Sequence, residues 1–336
     1  MGGKNVAGEI LEMGDLSHPE LLALNRERTL VLLAVSPVEV HGAHLPLKTD
    51  YFLTGAMIRS AAKAVMARLP GWSALVAPAL PVGSDVLPLP GSVELRPRVL
   101  RDLVADVGSS YAKAGFKWRA VLSGHGGPRH NTAIELGCRD AMKRHKGFRM
   151  FSPTSELILY VLLGDFREDL AARLRGLMDE NDLASLWPSD VHAGALETSL
   201  ALCYMPEMVR EGWRELPKVC FGEGSSVKRR FVRGFARLLG RSMAALSSSD
   251  ADRRAWPLFC DNLAESILLW KAPDGPPPLY AGFPALASKE LGEAYSAMIA
   301  ERGAALIEDV VSGRRDLDST FTILSRSRLL RLSIYA

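Results

Sequence analysis

The chain has 336 residues, 48% of them hydrophobic and 24% charged, with a formal net charge of +3. Those proportions describe a soluble globular protein long enough to bury a core as one large α/β domain or two smaller ones. The charge is too small to imply a nucleic-acid partner. No apolar stretch reaches the roughly 20 residues of a membrane span, and Met1–Leu11 lacks the apolar run of a signal peptide.

Leu30–Val35 is apolar throughout, as a parallel strand covered on both faces would be. A helical pattern follows at Phe52–Leu69, then a strand at Ala74–Leu80 ended by Pro81 and Gly83. Next come a helix at Val99–Ala114, a strand at Ala120–Leu122, a helix at Asn131–His145 and a short strand around Phe148–Phe151. This alternation predicts an α/β fold: a mainly parallel sheet with helices on both sides. Beyond it, Leu157–Leu163, Asp165–Asp182, Glu197–Tyr204, Ser226–Leu246 and Lys289–Val311 read as helices, Ser247–Arg254 as a polar loop, and Asp274–Pro278 as a turn or linker. The stretch from Arg314 has no firm assignment. Its part Leu317–Ala336 is too apolar to float free and is expected to pack on the domain or on a neighbouring subunit. Arg229, Arg233, Arg237 and Arg241 recur every fourth residue and predict a solvated or subunit-contact face, since no aromatic interleaving supports nucleic acid. The four cysteines, Cys138, Cys203, Cys220 and Cys260, are far apart and form no CxxC pair, so a reduced, cytoplasmic setting is expected.

Chemistry concentrates in three short segments. Four of the seven histidines fall in them and none occurs after His192. The first segment, Glu39 to Asp50, follows the Leu30–Val35 strand. Residues two apart in extended backbone project to one side, so Glu39 and His41 can reach a common site, and Asp50 returns to it after Pro46. Two carboxylates and an imidazole suit Zn²⁺ or Mn²⁺, and an aspartate arriving separately can bridge two ions. Asp50 is equally suited to cap a helix starting near Tyr51. The second segment is Ser123-Gly124-His125-Gly126-Gly127, where glycines let backbone amides approach an ion or substrate; a plain strand–helix turn is the other reading. The third runs from Asp190 to Ser199 and holds His192 and Glu197. Glu197 is also favourable in a helix first turn without any further role.

The chain resembles the creatininase family of creatinine amidohydrolase-like metal hydrolases. The E-x-H-G-x-H-L-P-x-x-T-D pattern is complete from Glu39 to Asp50, G-H-G-G is Gly124–Gly127, and H-A-G-x-x-E-T-S is His192–Ser199. A weaker segment, a loop ending in P-G-S, is Gly83–Val93, and Lys289–Val311 looks like the family's closing helix. The resemblance implies a three-layer α/β/α sandwich. It implies one such domain over residues 1–312 with a divergent, mostly helical region at 205–280, and a C-terminal extension at 313–336. It also implies two divalent ions, Zn and/or Mn, with Glu39 and His125 on one, His41 on the other and Asp50 bridging. Creatininase itself supplies a further ligand two residues after its counterpart of His125; here that position is Gly127, so Glu197 is expected to complete the second ion's shell. That departure speaks against creatinine as the substrate.

The expected reaction is hydrolysis of a C–N bond in a small, cyclic amide, lactam or formamide by a hydroxide that the dinuclear centre generates. Asp50 and His192 are the expected catalytic residues, with His192 as proton shuttle. Gly126, Gly127, His44, Arg129 and His130 are expected near the substrate; for His44, orienting Glu39 or Asp50 is an alternative role. A small-molecule amide is the expected partner, with no membrane and a homo-oligomer, often a hexamer in the family. The alternatives are a metallopeptidase acting on a modified peptide, and a binding or scaffold protein that keeps the fold.

Overall fold

The computed structural model describes residues 8–221, 226–247, 249–271 and 277–335. Most of the Asp274–Pro278 turn, the first seven residues of the Met1–Leu11 stretch, Ser248 of the Ser247–Arg254 loop and the terminal Ala336 lie outside the described residues.

The first half alternates strand and helix: β1 (Ile10–Glu12), α1 (His18–Ala23), β2 (Thr29–Ala34), α2 (Thr49–Arg68), β3 (Ser73–Val76), α3 (Pro97–Lys113), β4 (Trp118–Leu122), α4 (Pro128–Arg144) and β5 (Arg149–Phe151). The strands form one wholly parallel sheet in the order β1-β3-β2-β4-β5. Burial on both faces explains the uniformly apolar β2. Val31 and Leu33 pack with Leu100 and Val104 of α3 and Ile134 and Cys138 of α4. Leu30, Leu32 and Ala34 point the other way, onto Ile58, Ala62 and Val65 of α2 and Ala304, Ile307 and Val310 of α11 (Lys289–Val311). The molecule is therefore the α/β sandwich expected, with helices on both faces of a parallel sheet.

The topology fixes where a ligand can bind. From β2 the chain leaves through α2 on one face to β3, and from the adjacent β4 it leaves through α4 on the other face to β5. Connections that part in opposite directions open a crevice beyond the carboxyl ends of those two strands.

The later elements are α5 (Thr154–Leu162), α6 (Arg167–Arg173), α7 (Glu180–Ser185), α8 (Ala195–Tyr204), α9 (Val227–Ala245), α10 (Asp250–Ser266), α11, α12 (Ile323–Arg326) and α13 (Arg328–Ser333). Three boundaries differ from the sequence reading. The helix expected over Asp165–Asp182 is two short helices, because the chain turns at Gly176, whose φ is +79°. The strand expected over Ala74–Leu80 pairs regularly only to Val76, although Leu80 still bridges to Val35. Ser249 caps α10 by accepting from the Asp252 N–H, so the polar run after Ser247 begins a helix.

The C-terminal segment folds back on its own chain. Phe321 enters the core beside α4, while Ile323, Leu324 and Leu330 pack with Trp256, Phe259 and Cys260 of α10. Beneath it, the buried Glu135 of α4 accepts from the Thr322 N–H and hydroxyl and from the Ser325 hydroxyl.

Candidate metal centre

The loop after β2 is a small ribbon. The Glu39 N–H donates to the Leu47 carbonyl at 3.0 Å, His41 pairs with Leu45, and Gly42 at φ +68° makes the turn between them. Glu39 and His41 thus alternate along extended backbone and reach one site. Asp50 stands in the first turn of α2 and does not cap it: the N-cap is Lys48, with no side-chain cap bond. Its carboxylate turns to the loops instead. Oδ1 lies 3.1 Å from His41 Nε2 and Oδ2 lies 3.1 Å from His125 Nδ1. His125 Nδ1 is also 3.0 Å from Glu39 Oε2, and His41 Nε2 is 3.7 Å from Glu197 Oε2.

Backbone carbonyls set both rings. His41 Nδ1 is 3.1 Å from the Glu39 carbonyl, and His125 Nε2 is 3.1 Å from the Ser84 carbonyl. A nitrogen facing a carbonyl must carry a proton, so once the ring is neutral the opposite nitrogen holds the lone pair and aims it inward. Glu39 is held by the Leu87 N–H, which donates to Oε1 at 2.6 Å. Glycine makes the approach feasible. A Cβ on Gly127 would come within 2.5 Å of His125 Nε2, and one on Gly124 within 2.8 Å of Thr54 Oγ1.

The third segment closes the ring of donors. Asp190 accepts from the N–H groups of Ala195, Leu196 and Phe283, fixing the start of α8, and Gly194 and Gly282 crowd against its carboxylate. Burial pushes the Asp190 carboxyl up to about 6, although those three N–H bonds oppose the shift. Ala193 is held at φ +48° and donates to Glu197 Oε2. The His192 ring lies 4.3 Å from that of His41 and 5.8 Å from that of Trp270, and its Nε2 is 2.7 Å from the Val40 carbonyl.

Three sets of potential ligand atoms lie within 4.8 Å of one another: Glu39, Asp50 and His125; His41, Asp50 and Glu197; and Glu39, His41 and His192. Glu39 Oε2, His41 Nε2 and Asp50 Oδ2 are buried and make no well-aligned hydrogen bond, although each lies within 3.1 Å of a side chain of opposite charge. Buried polar atoms are rarely left so, and three converging on one space are what a cation would satisfy. The charges agree. Burial opposes protonation of His41, but Asp50, Glu197 and Glu39 outweigh it and push its pKa up to about 10. Burial likewise disfavours charge on His125, yet Glu39 and Asp50 hold it well above its usual value. Burial alone would raise Asp50; the two imidazoles hold it well below the carboxylate range. His192 goes the other way, lowered by burial and by the neighbouring His41.

The other residues named from sequence are placed differently. Gly126 and Gly127 line the cavity that contains the donors. Their N–H groups donate no hydrogen bond among the described residues. His44 sits behind the site, its Nε2 2.8 Å from Thr198 Oγ1, tying the first loop to α8; burial and the His41 and His192 rings lower its pKa to about 4. His130 is fully buried under His125, with Nδ1 accepting from the Ser84 N–H and Nε2 3.0 Å from Ser123 Oγ. Burial and His125 push its pKa down to about 3. Arg129 pairs with Asp85 and Glu94. None of these three lines the cavity. The carbonyls of Val40 and Ser84 and the N–H of Leu87 were not legible beforehand, since any residue supplies them. Asp85 left one signal: an acid beside Gly83-Ser84 in the weak Gly83–Val93 segment.

A parallel α/β sandwich with a carboxylate–imidazole cluster at its switch point offers the donors of a metal site. The family model of the creatininases, described as creatinine amidohydrolase, matches residues 14–307, and the chain belongs to that family. Solved structures agree on the fold. A Bacteroides fragilis protein given the provisional name of creatinine amidohydrolase superposes with a TM-score of 0.58 at 20% identity, covering 93% of this chain and 98% of that one. A creatinine amidohydrolase (creatininase) gives 0.55 at 20% identity, covering 90% and 97%. A creatininase in its Mn form gives 0.55 at 19% identity, covering 90% and 98%. A search of curated proteins found no match.

Proposed function

We propose that this protein is an amidohydrolase with two divalent ions, Zn²⁺ or Mn²⁺, one among Glu39, Asp50 and His125 and the other among His41, Asp50 and Glu197. The observation that carries the reading is the pair of equal distances from the two Asp50 oxygens to two different histidines, 3.1 Å each. A carboxylate so placed suits a bridge. When bound, such ions activate water and polarise a carbonyl at neutral pH.

The remaining steps belong to the chain. The amides of Gly126 and Gly127, which line the cavity, would receive the carbonyl oxygen as it gains charge. His192 keeps its Nε2 proton on the Val40 carbonyl and so offers Nδ1 as a base; it takes the proton released by the attacking water and returns it to the leaving nitrogen. Because its pKa is lowered, it starts neutral, as a base must. The substrate we propose is an amide of small-molecule size, and a cavity of about 400 Å³ can enclose one. Creatinine is not favoured, because Gly127 supplies no side chain where creatininase has a ligand. A peptidase acting on a modified peptide stays second, as no observation favours it.

Cys138, Cys203 and Cys260 form no disulfide among the described residues, which supports the cytoplasmic setting, and no helix among the described residues is long and apolar enough to cross a membrane. The homo-oligomer rests on the family: the apolar tail packs on its own chain through Ile323, Leu324 and Leu330, while Leu329 and Leu332 stay exposed. Light scattering tests it, and a monomer at micromolar concentration would count against it. Elemental analysis of protein prepared without chelators tests the centre. Two ions per chain are expected, and at most one after repletion with both metals would sink the dinuclear reading.

A further inference from the structure

The cavity has two chemically distinct ends. Every charged residue lining it belongs to the metal cluster or to the loops beside it, where Asp85 and Asp190 sit; Tyr295 of α11 adds a phenol. The rest of the wall comes from α2, α8 and α11, from α5, and from α10 with its π-helical continuation, Ile267–Lys271. Phe259, Leu263 and Ile267 recur every fourth residue and face the cavity together, with Trp270 one turn further on; Leu157 and Val161 face them from α5. Asn262 and Ser266, also four apart, are the polar groups α10 contributes. Trp270 is anchored by its Nε1–H, which donates to the Pro278 carbonyl at 3.0 Å, so its ring is a fixed wall between the apolar end and His192.

That wall is more than a small polar ring can fill. A volume of about 400 Å³ lies within the range of pockets that hold drug-sized ligands, roughly 300–1,000 Å³. A charged group at the α10 end would be buried without a counter-ion, which is costly. Apolar groups placed there gain from leaving water, and α10 offers them a continuous face.

Resting on the amidohydrolase reading above, we infer that the substrate is an uncharged amide carrying an extended aliphatic or aromatic group, with the C–N bond at the metal cluster and the apolar group along Phe259, Leu263, Ile267 and Trp270. Leu263 and Ile267 are then specificity-determining residues. The chemistry of the bond is set by the loops after β2 and β4 with His192 and Glu197 at the start of α8, and the body of the substrate is selected by α10.

The test uses straight-chain alkyl hydroxamic acids, from acetohydroxamic to octanohydroxamic acid, titrated calorimetrically into Zn-loaded full-length protein. Affinity is expected to rise roughly fourfold per methylene, the factor for burying a CH₂ group. Leu263→Gln and, as a milder change, Ile267→Ala should each lower the octanoyl-to-acetyl affinity ratio, by about tenfold for Leu263→Gln. An affinity that is flat or falls with chain length would overturn the inference, as would an unchanged ratio in both folded variants. If no hydroxamate of any length binds, the metal reading fails and the cavity is judged separately. N-phenyl-1-naphthylamine, a neutral fluorescent probe, is then titrated into chelator-treated protein. One bound probe per chain, weakened by Leu263→Gln or Ile267→Ala, would uphold the apolar subsite; no binding, or binding indifferent to both changes, would reject it.

Discussion

At the scale of single residues, Asp50 decides the character of the site. Placed at the second position of α2 instead of at its cap, it gives one oxygen to each of two histidines. In metal-free protein those histidines are held protonated by the surrounding carboxylates, so an entering ion must displace their protons. We expect release of about two protons per chain on metal uptake near pH 7. Calorimetry in buffers of different ionisation heat would measure it, and no net release would contradict the geometry. The sign of the stability effect follows. A histidine whose folded pKa is raised to about 10 stabilises most below its unfolded value near 6.5, and that contribution is lost as pH rises towards 10. Asp50, lowered in the fold, contributes above its ordinary value and loses its contribution as pH falls through the folded one. Chelated protein should therefore melt at lower temperature at pH 9.5 than at pH 6.5. The metal-loaded protein should not show this alkaline loss. His192 and Glu197 should separate chemistry from ion binding although five positions apart. His192→Asn should keep both ions and lower single-turnover rates by about 10²–10⁴-fold, the usual scale for lost acid–base help. Glu197→Gln should weaken one ion and be rescued in part by excess metal. If His192→Asn loses an ion, the set Glu39, His41 and His192 is the true one and the proton carrier must be sought elsewhere.

At the scale of elements, the start of α12 is tied to α4 by one buried carboxylate, Glu135. Burial pushes the Glu135 carboxyl up, against the hydrogen bonds from Ser325 and Thr322. Glu135→Gln keeps an acceptor for the Thr322 N–H and should cost less than an apolar replacement. Glu135→Leu leaves the Thr322 N–H without its acceptor and should cost about 1–3 kcal/mol. It should also expose residues after Leu317 to protease, which limited proteolysis with mass spectrometry would register. Equal protection in both variants would show that Phe321, Ile323 and Leu324 hold the segment unaided. The consequence reaches the cavity, since Leu324 of α12 lines it beside α10.

At the scale of the whole molecule, the site joins α2, α8 and the loops after β2 and β4, so ion binding should tie separate parts of the fold together. Ligation by the native state alone stabilises by mass action, about 2.7 kcal/mol when free metal is a hundred times its Kd. Thermal melting should rise with Zn²⁺ or Mn²⁺ in the intact protein and fail to rise in Asp50→Ala. A rise that survives Asp50→Ala would place the stabilising ion elsewhere.

The sequence by itself determined the strand–helix alternation and the residue types of the cluster. Periodicity records burial directly, and the spacing of Glu39 and His41 already places both on one side of an extended chain. It left Asp50 divided between cap and ligand, because both roles use the same carboxylate next to the same helix; only the rotation of α2 against the loop after β4 separated them. It named His130 and Arg129 as neighbours of substrate because they follow His125 closely, whereas the turn into α4 buries one ring under His125 and pairs the other with Asp85 and Glu94. The contacts of Val40, Ser84 and Leu87 with the site are made by backbone, which carries no side-chain signature. The apolar wall of α10 lay equally out of reach. Its residues read as ordinary core, and whether such a face meets another helix or a cavity depends on where α5 and α11 come to rest.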